Sequence, residues 1–496
     1  MIHLNLPTLL LFGAILFLNP SCTALTPTRI ASNRPSGIEL KPCNAARLER
    51  AALCAKYSVY EDRTAQSGRT IPLNIVILPA TDAESKTDAI FFLAGGPGQG
   101  AGSIANNAAL FAELRRERDV VFVDLRGTGE SHRLACPAPP ERAEGQSFFG
   151  EILEPSTIRA CRDSLDKIAD LKHYGTANAV ADLEEVRAAL NYDKINLYGV
   201  SYGTLAAFEY LRRYPERVRA AALAGVLTAA AKLPLHFPTA AELALQRVFE
   251  DCHDDESCRG KFPDLRGDFA KVLAGFERGP IMIDIEHPTR KARQSVSLSR
   301  AIFSERVRAL LHSHSGARVI PLLIHDPAHG NWTTFGKIAA AFIPPSAFGI
   351  ATGVYYSVTC GESVAAISEA EIGQESQNTF LGDYRIRRHH QACEAWPRGA
   401  LDPDIGQPVA STSPILMLSG DSDPATPMSL GKEAMKFLPN ARQIILRNTP
   451  HSYTSECARS MIAVFISRGE ANAVDASCAA RQRRPPFVTE LPVQLN

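Results

Sequence analysis

The sequence predicts an α/β protein: a mostly parallel sheet with helices on both faces, interrupted by a large and mainly helical cap insertion. Three observations carry this. Short apolar runs rich in β-branched and aromatic residues alternate with helical periods through the first half of the chain. That alternation stops between about Thr228 and Thr412, where helical stretches such as Ala240–Phe249 and Leu298–Leu311 follow one another through Pro-, Gly- and His-bearing loops. It resumes at Pro414. A chain of 496 residues exceeds one ordinary core, which suits a large domain carrying an insertion. The boundaries read as a leader over 1–24, a core over 25–227, the cap over 228–412 and the core again over 413–496.

At the N-terminus an apolar run from Leu9 to Leu18 is followed by Asn19-Pro20 and small residues through Ala24, the pattern of a signal peptide. The run is too short to span a bilayer. A lipid on Cys22 is a lesser alternative, because Asn19 stands three residues before it where a lipoprotein signal has Leu. The expected location is secreted or periplasmic. Eleven cysteines suit export: without Cys22 ten remain, and their spacing suggests Cys43 with Cys54, Cys136 with Cys161, Cys252 with Cys258, Cys360 with Cys393, and Cys457 with Cys478. No Cys-x-x-Cys pair exists, and the His312/His314, His325/His329 and His389/His390 pairs lack partners at metal-motif spacing, so neither metal nor cofactor is expected. Lys and Arg number 53 against 53 Asp and Glu, with no block of like charge, which argues against nucleic acid and for a small or peptide substrate.

Taken in order, Arg29 to Lys56 reads as irregular and Cys-bearing, and Ile71–Leu78 as a strand. Ala89–Ala94 is a buried strand that ends in Gly95-Gly96-Pro97-Gly98. A helical segment near Ala108–Arg116 leads to the strand Val120–Asp124, which ends at Arg126-Gly127-Thr128-Gly129. The helix around Ala179–Leu190 precedes Lys194–Val200, then Gly199-Val200-Ser201-Tyr202-Gly203 turns into a helix closed by Pro215. Past the insertion, Pro414–Gly420 is a buried strand ending at an acidic loop. Gln443–Leu446 is another, before Thr449-Pro450-His451, and the helix Cys457–Arg468 follows.

Strand, Gly-x-Ser-x-Gly turn and helix force Ser201 into an exposed, strained position at the tip, because the two glycines let strand and helix pass closely. A serine hydroxyl is a weak nucleophile and needs an oriented base. Asp423 and His451 both follow strands, at the sheet end where open parallel sheets place ligands, and their chain order Ser, Asp, His fits one known arrangement of such a triad. Ser201 would attack, His451 would relay the proton and Asp423 would orient the imidazole, with Asp421 a rival turn carboxylate. An oxyanion would take backbone N–H groups from Tyr202 and from Gly95-Gly96.

Together, Ala94–Gly98, Val123–Ser131, Gly199–Gly203, Gly420–Pro427 and the His451 loop resemble the proline iminopeptidase and tripeptidyl aminopeptidase family of α/β-hydrolases. Cys360 and Cys393 with Glu394-Ala395-Trp396-Pro397 resemble that family's tripeptidyl-aminopeptidase-type C-terminal region. The resemblance covers about residues 57 to 470. Two departures stand out: Ala94 occupies the place of the family's His before Gly-Gly-Pro-Gly, and the Gly-x-Gly-Glu of single-domain proline iminopeptidases is absent. The resemblance implies a secreted serine aminopeptidase acting on peptides with a free N-terminus. It also implies a carboxylate in the cap that holds the substrate's amino group, for which Glu362 is the candidate, with Glu242 behind it. A carboxylesterase or lipase-like hydrolase of small esters is the alternative, and an inactive binding protein a further one.

Overall fold

Nine strands share one sheet in the order β1-β2-β3-β5-β4-β6-β7-β10-β11. They are β1 (Lys41–Cys43), β2 (Ala52–Tyr60), β3 (Thr70–Leu78), β4 (Ile90–Leu93), β5 (Val120–Val123), β6 (Ile195–Val200), β7 (Val218–Ala224), β10 (Ile415–Gly420) and β11 (Ala441–Leu446). Strands β5, β4, β6, β7, β10 and β11 pair in parallel, while β1, β2 and β3 run antiparallel to their neighbours at one edge. The computed structural model describes residues 37–43, 52–82, 84–136, 149–228, 230–286, 292–341, 349–400 and 402–491. The expected leader over 1–24 and Cys22 lie outside the described residues. Among the described residues no helix is long and apolar enough to cross a membrane.

The strand pleat sorts the sheet's side chains into two cores. Phe91, Leu93, Val121, Val123, Leu197, Leu223 and Met417 face the helices Thr176–Ala189 and Tyr202–Arg213. Ile90, Phe92, Val120, Phe122, Tyr198, Ala222 and Leu418 face the helix Glu456–Arg468. Both faces of β4 and β5 are covered, so Ile90–Leu93 and Val120–Val123 are buried throughout and read as unbroken apolar runs.

Between β7 and β10 the chain leaves the sheet. A separate core gathers Leu245, Val248 and Phe249 from the helix Phe237–Asp254, Phe303 and Val307 from the helix Arg300–Leu310, and the inward residues of a hairpin. That hairpin, β8 (Ile281–Glu286) with β9 (Arg293–Leu298), is an element the helical reading of this segment lacks. The helices Thr352–Glu362 and Tyr384–Glu394 turn back to the sheet, and Val354, Tyr356, Val358, Ala392 and Trp396 join its first core.

Two local expectations need correction. The stretch read as irregular up to Lys56 contains β1 and most of β2, paired from Lys41–Cys54 to Cys43–Ala52 and tied by the Cys43–Cys54 disulfide. The Ala108–Arg116 segment forms two 3₁₀ pieces, Ala108–Phe111 and Leu114–Arg116, not one helix. All five cysteine pairings suggested by spacing are present as disulfides.

One ion pair anchors the antiparallel edge to the parallel sheet's helix layer. Arg126, 1% exposed, donates Nε and Nη2 to the Asp182 carboxylate at 2.7 Å each, and its remaining N–H groups to the carbonyls of Tyr60, Glu61 and His173. All five donors are thereby used. Arg126→Met leaves Asp182 buried with Arg63 alone, and we expect a loss of about 3–5 kcal/mol. Calorimetric unfolding checks it: the Arg126→Met/Asp182→Leu double variant should regain part of that loss.

Candidate active site

The turn after β6 is set by backbone contact. A Cβ on Gly203 would lie 2.0 Å from the Leu93 carbonyl oxygen, and one on Gly199 would lie 2.5 Å from that of Gly203. Only glycine lets the helix Tyr202–Arg213 leave β6 so close to β4. Ser201 in between has φ +57°, a conformation a serine adopts only under constraint. Its N–H donates to Ala224 O of β7 at 2.9 Å, and its carbonyl accepts the Thr204 hydroxyl at 2.7 Å.

Strand β7 also brings His451 alongside. Gly225, next after Ala224, donates to Leu418 O of β10 at 2.9 Å, and a Cβ there would meet His451 Cε1 at 3.2 Å and Tyr453 at 2.9 Å. Ser201 and His451 therefore flank one bare turn at the end of β7.

The Asp423 carboxylate after β10 is buried and accepts five hydrogen bonds. Oδ1 takes Ala425 N (2.8 Å) and Thr426 N (2.9 Å), and Oδ2 takes the Thr426 hydroxyl, the Tyr453 hydroxyl and His451 Nδ1, each at 2.7 Å. Burial works to raise its pKa, but the His451 charge and bond and the Thr426 donors outweigh it and hold the carboxyl well below the usual range. With Nδ1–H committed to Asp423, the imidazole keeps Nε2 free to accept a proton. Asp421 instead takes the Ser422 hydroxyl at 2.9 Å and faces Arg247 at 3.7 Å, in a turn role.

The Gly95-Gly96 loop passes over the serine: a Cβ on Gly95 would lie 3.2 Å from Ser201 Cβ. Tyr202 is the first residue of its helix, where the backbone N–H has no intrahelical acceptor. Gly98 fixes the loop to the inserted segment through Ala351 N–H to Gly98 O, 2.8 Å.

Glu362 and Glu242 share no hydrogen bond with these residues. Glu362 ends the helix Thr352–Glu362 and caps the start of Thr176–Ala189, accepting Thr176 N at 2.5 Å and the Thr176 hydroxyl at 2.7 Å. That hydroxyl also meets the Tyr202 hydroxyl at 2.8 Å. Glu242 accepts Gln246 Nε2 (2.6 Å) and Phe380 N (3.0 Å). Sequence reasoning missed Thr426 and Tyr453, although the first lies three residues after Asp423 in Asp-Pro-Ala-Thr, a turn in which an aspartate accepts the following amides. It also missed His312, whose ring centroid is 5.8 Å from that of His451. Among the described residues one group could offer a metal three ligand atoms, Asp268 with His325 and His329, and it stands within the inserted segment.

Two families match. One described as alpha/beta hydrolase fold covers residues 88–251, and one described as TAP-like protein covers residues 378–478. Over 237 residues the chain is 30% identical to the serine protease Hip1 of Mycobacterium tuberculosis, spanning 44% of this chain and 44% of that protein, under half of its length. The tripeptidyl aminopeptidase of Streptomyces lividans is 22% identical over 90% of this chain and 87% of its own. The proline iminopeptidase of Neisseria gonorrhoeae is 29% identical over 28% of this chain and 32% of its own.

Burial, opposed by the Thr176 bonds, raises the Glu362 carboxyl to about 7. The folded chain thus holds a proton there that the unfolded chain releases near the ordinary glutamate value, and this contribution to stability falls as pH rises from about 4.5 through 7. Glu362→Gln should flatten the unfolding midpoint over that window, as thermal melts at half-unit pH steps will show. An unchanged slope would place the titration elsewhere.

Proposed function

We infer, for a chain that belongs to the α/β-hydrolases of the proline iminopeptidase and tripeptidyl aminopeptidase family, a secreted serine aminopeptidase that cleaves near the free N-terminus of short peptides. The observation that carries the reading is the fully bonded Asp423 carboxylate gripping His451 by Nδ1 beside a strained Ser201.

In that reading the Ser201 hydroxyl attacks the scissile carbonyl while His451 Nε2 takes its proton. The resulting oxyanion lies toward the Tyr202 amide and the Gly95-Gly96 amides, donors already fixed before charge develops. His451 returns the proton to the leaving amine, the acyl group stays on Ser201, and a water deprotonated by His451 releases it. Asp423 stays ionised and stabilises the imidazolium. Glu362 is assigned the substrate ammonium: its carboxyl sits high enough that an arriving cation converts it to the charged partner. Glu242, which accepts Gln246 Nε2 and Phe380 N, stands second. The five disulfides and the Leu9–Leu18 run support an oxidising, exported setting.

Ser201→Ala should cut kcat by several orders of magnitude with melting unchanged, and a fluorophosphonate should label Ser201 alone. Turnover within about tenfold of wild type would end the serine-hydrolase reading. Glu362→Gln should lower kcat/KM about ten- to a hundredfold for free-amine peptides and leave a small neutral ester nearly untouched. Equal losses on both, or wild-type cleavage of amino-blocked peptides as fast as free ones, would favour the esterase alternative.

A further inference from the structure

His451 touches the inserted segment at His312, and His312 opens onto a charged cluster that the hydrolysis above leaves unused. Arg308, one helical turn earlier, directs Nη1 at His312 Nε2 (3.4 Å) and Nε at Glu305 Oε2 (3.3 Å). From the helix Tyr384–Glu394, Arg385 meets the same carboxylate with Nε at 2.8 Å from Oε1 and with Nη2 against Oε2. Phe237 lies under both guanidinium groups, its ring 4.8 Å from Arg308 and 6.0 Å from Arg385.

Two guanidiniums share one carboxylate. Neither nearby histidine offsets the surplus: His312 gives Nδ1–H to the Arg308 carbonyl (2.9 Å), and His389 gives Nδ1–H to the Arg385 carbonyl while taking the Tyr355 hydroxyl on Nε2 (2.7 Å). Burial pushes both imidazoles down to about 3, so both are neutral. One positive charge is left over on side chains 7% and 15% exposed. Burial and the second guanidinium pull Arg308 down to about 10 against the pull of Glu305, so it is the less well compensated of the two. Among the described residues neither Arg308 Nη2 nor Arg385 Nη1 has an acceptor.

If Arg308 served only to pair Glu305 it would be superfluous, since the Arg385 fork already takes both oxygens. Its Nη1 points at His312, whose ring packs on His451, and a guanidinium fork matches a carboxylate in shape and charge. We propose that Arg308, backed by Arg385, receives a carboxylate of the substrate, either an acidic side chain next to the scissile bond or the free α-carboxylate of a short peptide. An uncovered cation also opposes the charge that His451 takes up during proton transfer, and a bound carboxylate removes that opposition in the transition state. The proposal rests on hydrolysis at Ser201.

The test compares matched free-amine peptides: Asp against Asn, and Glu against Gln, on either side of the scissile bond, and free acid against amide at the C-terminus. Wild type should favour the carboxylate member of one set by about ten- to a hundredfold in kcat/KM, and which set responds identifies the source. Arg308→Met should bring that ratio towards one and Arg308→Lys should keep part of it, with circular dichroism and fluorophosphonate labelling of Ser201 reporting an intact fold. No preference in wild type, or an undiminished ratio in Arg308→Met, overturns the proposal while Ser201-dependent turnover of the neutral peptides stands. Absence of turnover on every peptide overturns the underlying reading, and this one with it.

Discussion

The arrangement depends on a place where three backbones come closer than side chains allow. Gly199, Gly203 and the Leu93 carbonyl occupy the space in which β6 stops, its helix starts and β4 passes. Everything near the serine inherits its position from that contact: the left-handed φ of Ser201, the first amide of the helix, and the Gly95 loop leaving β4 directly above. Strain of this kind, on the order of 1–3 kcal/mol, persists only where the surroundings overdetermine it. Here strands buried on both faces supply that support.

Electrostatics divides the site into a committed half and an open half. Asp423 has five donors and almost no exposure, so its charge is fixed and its geometry leaves His451 one orientation. On the other side stand groups whose bonding is incomplete: the amides at Tyr202 and Gly95-Gly96, and the spare edge of Arg308. Low local dielectric strengthens both halves, because it holds satisfied groups rigid and makes unsatisfied ones ready for a ligand.

The parallel half of the sheet was legible because its inner strands β4, β5, β6, β7 and β10 are buried on both faces and stop at Gly- or Asp-bearing turns. Ser201, Asp423 and His451 follow the ends of β6, β10 and β11. Disulfide partners were legible through proximity, the five pairs lying 6 to 33 residues apart. β2 was harder: Lys56 and Ser58 dilute its pattern, and antiparallel pairing with β1 and β3 holds it instead. The β8–β9 hairpin does alternate, with Ile283 and Ile285 inward and Asp284 and Glu286 outward, but six-residue strands between helices give a weak signal. His312 and Arg308 carry no local signature at all. Their meaning arises only when a helix some 140 residues before His451 folds against it, given that 451 minus 312 is 139.

The sheet order has a consequence for the chain while it is being made. Ser201 follows β6, yet Asp423 and His451, the partners proposed for it, follow β10 and β11, the last strands in sequence and one edge of the finished sheet. A ribosome adding roughly 5–20 residues per second needs about 12 to 50 s to travel the 250 positions from 201 to 451. Throughout that interval the elbow can exist without the base proposed for it, and in that reading its serine is inert. In the proposed reading, lateness of the edge strands works as a built-in latency of the nascent chain.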